Sequence, residues 1–363
     1  MAGLELVNLI KQLPGFTIGP VSLKVGNEIR VIIGPTGSGK TTILNLISGL
    51  IKPDCGSIFL DGNDITNHPI ECRKIGYIFQ KPLLFPHLSV YNNIIFGRKK
   101  YDSFSVTEIG KLLDDLGIGH LSDRRIQGLS GGEMQKASLA RMLVTKPKII
   151  LMDEPLANLD DQSKKKLRLD LRQVLKERNL PTIYVTHFEQ DVYALADRIS
   201  ILYNGNVLYD NTLNAALTSQ DPNSFPFRPE IFSAEGNYIE GVVTYSSGGV
   251  TIFKNHTQTL QILGDYPLGS NVGILIRPED IIISKDLVKT SARNFLRIKI
   301  VNVTKPIGAT GMIRVHMLLE EKLRLVAKIT DEARSELGIE DGDMVYAIFK
   351  ASSPQVVREG NSH

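Results

Sequence analysis

The sequence predicts an α/β domain with a largely parallel sheet, followed by a mostly β C-terminal region. From the first residue to about residue 215, apolar strand-length runs alternate with helical patterns, which is typical of an α/β domain. Two of the runs, Ile149–Met152 and Thr182–Val185, lack the polar alternation of a half-exposed strand, as expected for strands covered on both faces. Beyond about residue 237, short strand patterns and glycine-rich turns replace this rhythm.

Between those two strands, the segment from Asp161 to Asn179 is highly charged and carries leucine at positions 167, 169, 171 and 175. This spacing predicts an exposed helix with one narrow apolar stripe. Residues 216–237 contain three prolines and are predicted to be a linker. The chain is therefore expected to divide into a domain over residues 1–230 and a second domain over residues 231–363.

The second domain begins with a hairpin pattern, in which Val242–Tyr245 and Val250–Phe253 flank a glycine-rich turn. One brief helix is predicted near Asp331–Leu337, where Gly338 would end it. The remaining short strands favour one or two small barrels. A Gly-x-x-Val pattern at residue 269 recurs at residue 342, each time with a cation eight residues after the glycine, which predicts two related β units divided near residue 290.

Composition excludes several classes of protein. The 42 Lys and Arg residues nearly balance the 39 Asp and Glu residues, and this near neutrality argues against a nucleic-acid-binding protein. No stretch reaches the ~18–20 apolar residues of a membrane-spanning helix, and the N-terminus shows no signal-peptide pattern. Two cysteines are too few for a disulfide framework, which favours a reduced cytosolic setting. We therefore expect any membrane association to depend on a partner protein.

A complete GxxxxGK[ST] phosphate loop follows a predicted strand, Ile29–Ile33, and precedes a predicted helix. Its glycines let backbone N–H groups turn toward phosphates at a helix N-terminus, and this strand–loop–helix context favours a phosphate loop over a merely structural turn. Lys40 would neutralise the terminal phosphates, and the Thr41 hydroxyl would bind Mg²⁺. The predicted nucleotide-binding residues here are Gly34, Pro35, Thr36, Gly37, Ser38, Gly39, Lys40, Thr41 and Thr42.

Two further segments indicate a site for phosphates. Asp153 and Glu154 end a predicted buried strand, where open α/β sheets bind ligands; Asp153 would hold Mg²⁺, and Glu154 would polarise the attacking water. Two acidic residues after a strand are by themselves more typical of a solvated loop than of a metal site. The presence of the phosphate loop in the same chain makes the metal site the favoured interpretation. Ser130 and Glu133 have capping-box spacing, which by itself indicates only a well-capped helix. The intervening glycines, Gly131 and Gly132, leave bare N–H groups that suit a second anion-binding surface.

In this order the motifs resemble those of ABC transporter ATPases, which have a P-loop NTPase fold with a helical subdomain, here expected at about residues 85–145. Leu129–Glu133 resembles the signature motif, Gln80 the Q-loop, Asn158–Asp160 the D-loop and His187 the switch histidine. The resemblance covers about residues 3–215. It departs from the family where an adenine-stacking aromatic residue is usual, because this chain offers Leu13 there and Phe16 three residues later.

The resemblance implies ATP and Mg²⁺ as cofactors, with Lys40, Glu154 and His187 as catalytic residues. Mg²⁺ would be held by Thr41, Gln80 and Asp153. In the family two copies form a head-to-tail homodimer that sandwiches ATP between the phosphate loop of one copy and the signature motif of the other. The nucleotide-contacting residues outside the phosphate loop would then be Gln80, Ser130, Gly131, Gly132, Glu133 and Asp160.

The family also implies separate membrane subunits. Leu83–His87 resembles importers whose ATPase contacts a coupling helix of such subunits. We therefore expect two permease subunits, an extracytoplasmic substrate-binding protein that acts indirectly, no nucleic acid, and a peripheral location at the cytoplasmic face of the cell membrane.

Two patterns in the C-terminal domain restrict the classes of substrate that we expect the importer to carry. Arg277–Ile281 resembles the accessory β domain of importers for oxyanions, sugars, polyamines and iron, and Thr290–Leu296 with Val345–Ser352 resembles the molybdate-binding (Mop-type) domain, an OB-like small barrel, here expected at about residues 290–358. The resemblance implies molybdate or tungstate as cargo and as a cytosolic regulator that inhibits import. The candidate oxyanion-binding residues are Ser291, Arg293, Lys350 and Ser352.

Other interpretations stay open. Residues 291–294 also suit the mere start of a β-strand. A sulfate, polyamine, iron or sugar importer with a non-binding tail is the alternative transporter. Outside transport, a soluble ABC ATPase of DNA repair or translation is disfavoured because this chain has neither a second cassette nor a long coiled-coil insertion. An oxyanion storage or sensing protein would differ from a transporter in lacking membrane subunits that co-purify.

Overall fold

The computed structural model describes residues 3–96, 105–218, 237–255, 258–304, 311–320 and 323–359. The chain divides into two compact units: among the described residues, 3–216 belong to the first unit, and residues 217 and 218 with all those from Asn237 onward belong to the second. Most of the predicted linker, including its three prolines, lies outside the described residues, as does the expected boundary at residue 230.

The described part of the first unit contains ten strands and seven α-helices. In chain order the elements are β1 (Leu4–Leu13), β2 (Phe16–Val25), β3 (Ile29–Ile33), α1 (Lys40–Ser48), β4 (Cys55–Leu60), β5 (Asn63–Asp64), β6 (Ile75–Ile78), α2 (Val90–Phe96), α3 (Val106–Asp115), α4 (Gly131–Leu143), β7 (Ile149–Asp153), α5 (Asp161–Glu177), β8 (Thr182–Val185), α6 (Glu189–Leu195), β9 (Arg198–Tyr203), β10 (Asn206–Thr212) and α7 (Leu213–Thr218).

A six-stranded sheet in the order β10-β9-β3-β8-β7-β6 forms the centre of this unit. Its strands are parallel except β10, which pairs antiparallel with β9. All residues of β8 and residues 149–152 of β7 are buried, as their uninterrupted apolar patterns predict, and so are all residues of β3. Because β3, β7 and β8 are parallel neighbours, the loops after their carboxyl ends open at one edge of the sheet. A second, antiparallel sheet has the order β2-β1-β4-β5 and shares a core with α1 and the central sheet.

Helices α2, α3 and α4 occupy the interval in which the helical subdomain is expected, and α2 packs against α4. Ser105 begins α3 with a reciprocal capping box to Glu108. Within the described residues, no helix combines the length and the apolarity needed to cross a membrane.

The buried face of α5 differs from the narrow leucine stripe that the sequence predicts. The buried face contains two cations, Lys164 and Arg168, whereas Leu169 is only half-buried. A helical pattern of hydrophobic residues assigns every charged side chain to the solvent side. It therefore cannot identify a lysine and an arginine that are buried because specific partners are present.

The second unit is mostly β, as predicted. Its described elements form two five-stranded sheets, in the orders β13-β12-β11-β14-β20 and β15-β19-β16-β17-β18, with one helix. In chain order they are β11 (Asn237–Ser247), β12 (Val250–Asn255), β13 (Gln258–Leu263), β14 (Asn271–Ile276), β15 (Ile282–Ser284), β16 (Asn294–Val303), β17 (Met312–Leu319), β18 (Leu323–Thr330), α8 (Asp331–Leu337), β19 (Met344–Phe349) and β20 (Gln355–Glu359).

The structure supports the predicted repeat and changes its division. Strands β11 to β14 and β16 to β19 form equivalent four-stranded arrays, with Gly269 and Gly342 in equivalent turns. The Gly269 N–H donates to the Val243 carbonyl and the Gly342 N–H to the Ile300 carbonyl, each at 2.9 Å. The units do not separate at residue 290, however, because each sends its last strand to the other sheet: β15 pairs with β19, and β20 pairs with β14. Both sheets consequently share one hydrophobic core.

Two buried asparagines connect the sheets in equivalent ways. The Asn294 amide donates to the Gln261 carbonyl at 2.9 Å and accepts from the Gln261 N–H at 2.8 Å. At the equivalent position of the other array, the Asn237 amide donates to the Val326 carbonyl at 3.0 Å and accepts from the Val326 N–H at 2.5 Å. Each amide thus bonds to one residue of the opposite sheet as a neighbouring strand would.

Candidate functional site

The phosphate loop lies between β3 and α1, as predicted, and its backbone requires glycine. Gly37 and Gly39 adopt left-handed conformations with φ of 82° and 101°. At Gly34 a Cβ would lie 2.1 Å from the Leu202 carbonyl oxygen and 2.8 Å from the Ser38 Oγ. Any side chain at Gly34 would therefore collide with β9 and distort the loop.

Lys40 folds back onto this loop. Its ammonium donates to the carbonyl oxygens of Gly34 at 2.7 Å and Pro35 at 2.9 Å. Burial lowers the pKa of Lys40 from its ordinary value, and the carboxylates of Glu154 and Asp153 partly oppose that shift. The ammonium therefore places a positive charge at the loop, where its hydrogen-bond partners are neutral carbonyls. A negatively charged acceptor, such as a phosphate oxygen, could replace these carbonyls as its partner.

Two polar features of the loop fit a phosphate group. The Ser38 Oγ is buried and has no hydrogen-bond partner among the described residues. Helix α1 begins at Lys40; no side chain caps it at its N-cap residue, Gly39, and no acidic residue lies in its first turn. Its first N–H groups and its positive helix end are thus suited to an anion.

The predicted magnesium ligands Thr41 and Asp153 lie together. The Thr41 hydroxyl donates to the Asp153 carboxylate at 3.1 Å, which joins the start of α1 to the end of β7. Burial raises the pKa of Asp153, and the Thr41 hydrogen bond opposes the shift. A hydroxyl and a carboxylate beside a phosphate loop are the hard oxygen donors that Mg²⁺ takes alongside nucleotide phosphates, so the residues fit this cofactor.

Glu154 and His187 meet across the ends of β7 and β8. The His187 Nδ1 lies 2.9 Å from the Glu154 Oε1, and the Glu154 N–H donates to the Val185 carbonyl at 2.9 Å. Glu154 has a positive φ of 44°, an uncommon conformation for a residue that is not glycine. A carboxylate paired with an imidazole can accept and hold a proton from a water molecule at this edge.

The D-loop and signature segments also lie together, as a second group. Ser130 caps α4 through a reciprocal capping box with Glu133, as predicted. At Gly131 a Cβ would lie 2.9 Å from the Leu159 Cδ2, so the glycine lets the signature helix pack against the D-loop. Asp160 caps α5 by accepting from the Ser163 N–H at 2.9 Å. Hydrogen bonding from the Ser163 side chain, and next from its backbone, lowers the pKa of Asp160. The Ser130–Gly132 amides are thus presented at a helix N-terminus.

Gln80 joins neither the magnesium ligands nor the phosphate loop. Its side chain is exposed, and its carbonyl accepts from the Asn158 side-chain amide at 3.5 Å, which links the Q-loop to the D-loop. The predicted role of Gln80 as a metal ligand therefore stays a prediction.

An aromatic ring lies beside the phosphate loop after all. A Cβ at Gly39 would lie 3.3 Å from the Phe16 ring, which is half-buried at the start of β2. Leu13, opposite Phe16 in the β1–β2 hairpin, is half-buried as well. The hairpin register therefore explains why the aromatic residue comes three positions later than the family pattern suggests.

Three residues around the His187 segment were not predicted from the sequence. Phe188 contacts the His187 ring, Lys164 lies over the Phe188 ring, and Asp191 accepts a hydrogen bond from Thr186. No motif identified them. An aromatic residue directly after the candidate histidine was the one available signal.

The four candidate oxyanion residues lie at one end of the second unit. Asn294 pairs with Phe349 at the end of the β16–β19 ladder, and Arg293 and Lys350 follow immediately beyond that pair. The side chains of Ser291, Arg293, Lys350 and Ser352 are all exposed, whereas Ala292 and Ala351 between them are buried. Exposed hydroxyls and cations around small buried residues suit the recognition of a tetrahedral dianion.

Comparison with known proteins gives two domain matches. The ABC transporter profile matches residues 19–157, and the TOBE domain profile matches residues 290–354. The molybdate/tungstate import ATP-binding protein WtpC of Pyrococcus horikoshii is 37% identical over 359 residues, which is 97% of this chain and 99% of that protein. The molybdenum import ATP-binding protein ModC of Vibrio vulnificus is 34% identical over 97% of both chains.

Among solved structures, an ATP-binding cassette of an ABC transporter in its ADP conformation is 28% identical, with a TM-score of 0.54. It covers 62% of this chain, and 97% of that cassette is matched. These similarities confirm the predicted fold class, a P-loop NTPase domain followed by a mostly β domain. The chain belongs to the ATP-binding proteins of ABC importers and is an ATPase.

Proposed function

We propose that this ATPase powers the import of molybdate or tungstate through two separate membrane permease subunits. The observation that carries the proposal is the TOBE match over residues 290–354, within which hydroxyls and cations lie at one sheet end. Near full-length similarity to molybdate and tungstate import ATP-binding proteins supports it. The chain would act as a homodimer at the cytoplasmic face of the membrane, and an extracytoplasmic substrate-binding protein would deliver the cargo to the permease.

In this proposal ATP binds at the phosphate loop and draws the Lys40 ammonium from the Gly34 and Pro35 carbonyls. The exchange is favourable because a phosphate oxygen carries more charge than a carbonyl oxygen. Bound Mg²⁺, held by Thr41 and Asp153 with Gln80 as a further proposed ligand, would supply neutralisation of phosphate charge.

Glu154 then orients a water molecule and accepts its proton, while His187, 2.9 Å from that carboxylate, steadies it. Hydrolysis also needs a second copy of the chain. The Ser130–Gly132 segment of that copy would contact the far side of the nucleotide, so that ATP closes the homodimer and hydrolysis opens it.

We further propose that cytosolic molybdate or tungstate inhibits import by binding at Ser291, Arg293, Lys350 and Ser352 across the interface of two tails. A ligand held between two tails favours one separation of the two ATPase domains. Inhibition follows if that separation disfavours the closed ATP sandwich, and its size is set by the difference in affinity for the two states. A coupling of ~1–3 kcal/mol, typical of allosteric proteins, would shift the balance between the two states about 5- to 150-fold.

Two experiments test the proposal. Titration calorimetry of the full chain with molybdate, tungstate and sulfate should show binding of the first two at far lower concentration than sulfate. In the transporter reconstituted with its permease, rising molybdate should inhibit ATP hydrolysis. The double variant Arg293→Ala with Lys350→Ala should lose that inhibition and keep its basal activity.

Arg297→Ala serves as the matched control. Arg297 is an exposed arginine on β16, the strand that begins directly after Arg293, and it lies away from the candidate residues. Equal inhibition of the wild type and the double variant, or inhibition of neither, would reject the oxyanion site. If the reconstituted transporter carried polyamine, iron or sulfate instead of molybdate or tungstate, the chain would belong to a different importer.

A further inference from the structure

Two cations lie buried one helical turn apart on the inner face of α5. The Lys164 and Arg168 side chains are only 8% and 7% exposed. Residues four positions apart lie on the same face of a helix, so both side chains reach the same neighbouring segment. That segment contains His187.

Arg168 binds the segment through a buried carboxylate. Its Nε donates to the Asp191 Oδ1 at 2.6 Å, and the Asp191 side chain is 1% exposed. The other oxygen of Asp191 accepts from the Tyr184 hydroxyl at 3.1 Å and from the Thr186 hydroxyl at 2.7 Å. The Thr186 hydroxyl in turn accepts from the Phe188 N–H at 3.0 Å. The residues on both sides of His187 are thereby tied to one ion pair.

Lys164 contacts the segment through an aromatic ring. Its ammonium lies 4.4 Å from the centroid of the Phe188 ring. In the part of the chain that the structure describes, no carboxylate forms an ion pair with this ammonium. A cation over a ring face is attracted by the ring quadrupole, more strongly where water is excluded. Among the described residues, Phe188 is therefore the main side-chain partner of the Lys164 ammonium.

The Phe188 ring that contacts Lys164 also contacts the His187 ring. The two rings lie 4.0 Å apart with an interplanar angle of 36°, and the His187 Nδ1 then meets Glu154 at 2.9 Å. The His187 side chain is 50% exposed, so half of its surface has no protein neighbour to restrict its rotamer. A half-exposed imidazole needs such a neighbour to keep one orientation toward Glu154.

We propose that Lys164 and Phe188 are positioning residues for His187. The Lys164 backbone N–H donates to the carbonyl of Asp160, the N-cap residue of α5, at 2.9 Å. Lys164 therefore lies in the first turn of the helix that follows the D-loop and contacts the Phe188 ring through its side chain. The D-loop and the His187–Glu154 pair are connected through this one turn of α5. The inference rests on the proposed role of His187 in hydrolysis.

The test uses Lys164 and Phe188 rather than Arg168 or Asp191, because loss of either ion-pair partner would leave a buried charge and unfold the chain. In purified full-length protein, Lys164→Met should lower kcat for ATP roughly tenfold, since small misplacements of a catalytic group are costly. The KM for ATP should change less than about twofold, because the phosphate loop is untouched. Phe188→Leu should behave alike, and Phe188→Tyr, which keeps the ring face, should restore kcat to within about twofold.

Lys165→Met is the matched control, since Lys165 is the exposed neighbour of Lys164 on the same helix. The decisive comparison is made in a His187→Ala background, where Lys164→Met should lower the residual kcat no further. A further tenfold loss in that background, or a kcat of Lys164→Met and Phe188→Leu within about twofold of Lys165→Met, would overturn the inference.

Hydrogen exchange of the peptide spanning Thr186–Glu189 gives a readout that does not depend on activity. Exchange should accelerate about tenfold in Lys164→Met and stay unchanged in Lys165→Met. Unchanged turnover of His187→Ala would refute the proposed role of His187 itself. Reduced turnover of His187→Ala combined with unchanged exchange in Lys164→Met would refute only the positioning role.

Discussion

Replacing Asn294 with alanine should destabilise the second unit, although Asn294 lies within the segment expected to bind an oxyanion. The substitution removes two hydrogen bonds, of 2.8 and 2.9 Å, that join β16 to Gln261 of the other sheet. Each is worth ~0.5–1.5 kcal/mol net, and an unpaired backbone group left in a buried place costs ~1–3 kcal/mol. We expect a total loss of about 2–4 kcal/mol, or roughly 10 °C in the unfolding temperature of this unit.

The isosteric variant Asn294→Asp adds a dependence on pH with a defined sign. A carboxylate at this site faces the Gln261 carbonyl instead of donating to it, so burial and repulsion raise the pKa of the new carboxyl above its ordinary value of about 3.9. Below about pH 4 the carboxyl is protonated in both states and can donate as asparagine does. As the pH rises toward the folded-state pKa, the penalty grows by up to ~1.4 kcal/mol per pH unit.

Differential scanning calorimetry of the full chain measures both effects, with the wild type scanned at each pH. Arg293→Ala is the control, because its exposed side chain should change stability by less than about 0.5 kcal/mol. Asn237→Ala should lose about as much as Asn294→Ala, since its amide makes the equivalent bonds to Val326. A loss below about 0.5 kcal/mol in Asn294→Ala would refute the reasoning.

Three further predictions concern the nucleotide site. Lys40→Ala should abolish hydrolysis, because the buried ammonium is the charge proposed to bind the terminal phosphates. A coupled ATPase assay with Lys52→Ala, at an exposed lysine, as control checks this, and normal turnover would contradict it. Glu154→Gln should keep ATP binding and lower turnover ~10²–10⁴-fold, so that size-exclusion chromatography with ATP shows a trapped dimer; normal turnover would move the catalytic role to His187. Because burial raises the pKa of Asp153, its ionised form costs stability at pH values above about 4. Asp153→Asn should therefore raise the unfolding temperature without nucleotide, more at about pH 7 than at about pH 3, where the carboxyl is protonated in both the folded and the unfolded state. The variant should also need a higher Mg²⁺ concentration for half-maximal hydrolysis. An equal gain in unfolding temperature at both pH values would count against the burial of a charge.

The local motifs of this chain could be predicted because their residues are neighbours along the sequence. The phosphate loop needs glycines at positions set by its own backbone, and Gly37 and Gly39 take the left-handed conformations that it requires. The capping box of Ser130 with Glu133 and the helix Asp331–Leu337 ended by Gly338 are likewise complete within one or two turns. Hydrogen bonds over such short separations depend little on the rest of the fold.

The exchange of strands in the second unit could not be predicted in this way. The repeat was visible from its recurring turn, but β15 and β20 have only three and five residues, too few to specify a partner by pattern alone. Each strand pairs with the array that does not contain its preceding strands. The same exchange explains why Asn294 is a structural residue, since its partner Gln261 belongs to the other array.

The sequence by itself therefore determined the predicted nucleotide site, since the residues proposed to bind phosphates and Mg²⁺ follow strand ends that any parallel sheet of this kind brings to one edge. Only the tertiary structure decided how His187 is held. Its contact with Glu154 joins residues 33 positions apart, and the Arg168–Asp191 pair behind it joins residues 23 positions apart. Hydrophobic periodicity assigns a lysine and an arginine to the solvent side of α5. Their burial is favourable because a ring face and a carboxylate from another part of the chain meet them there.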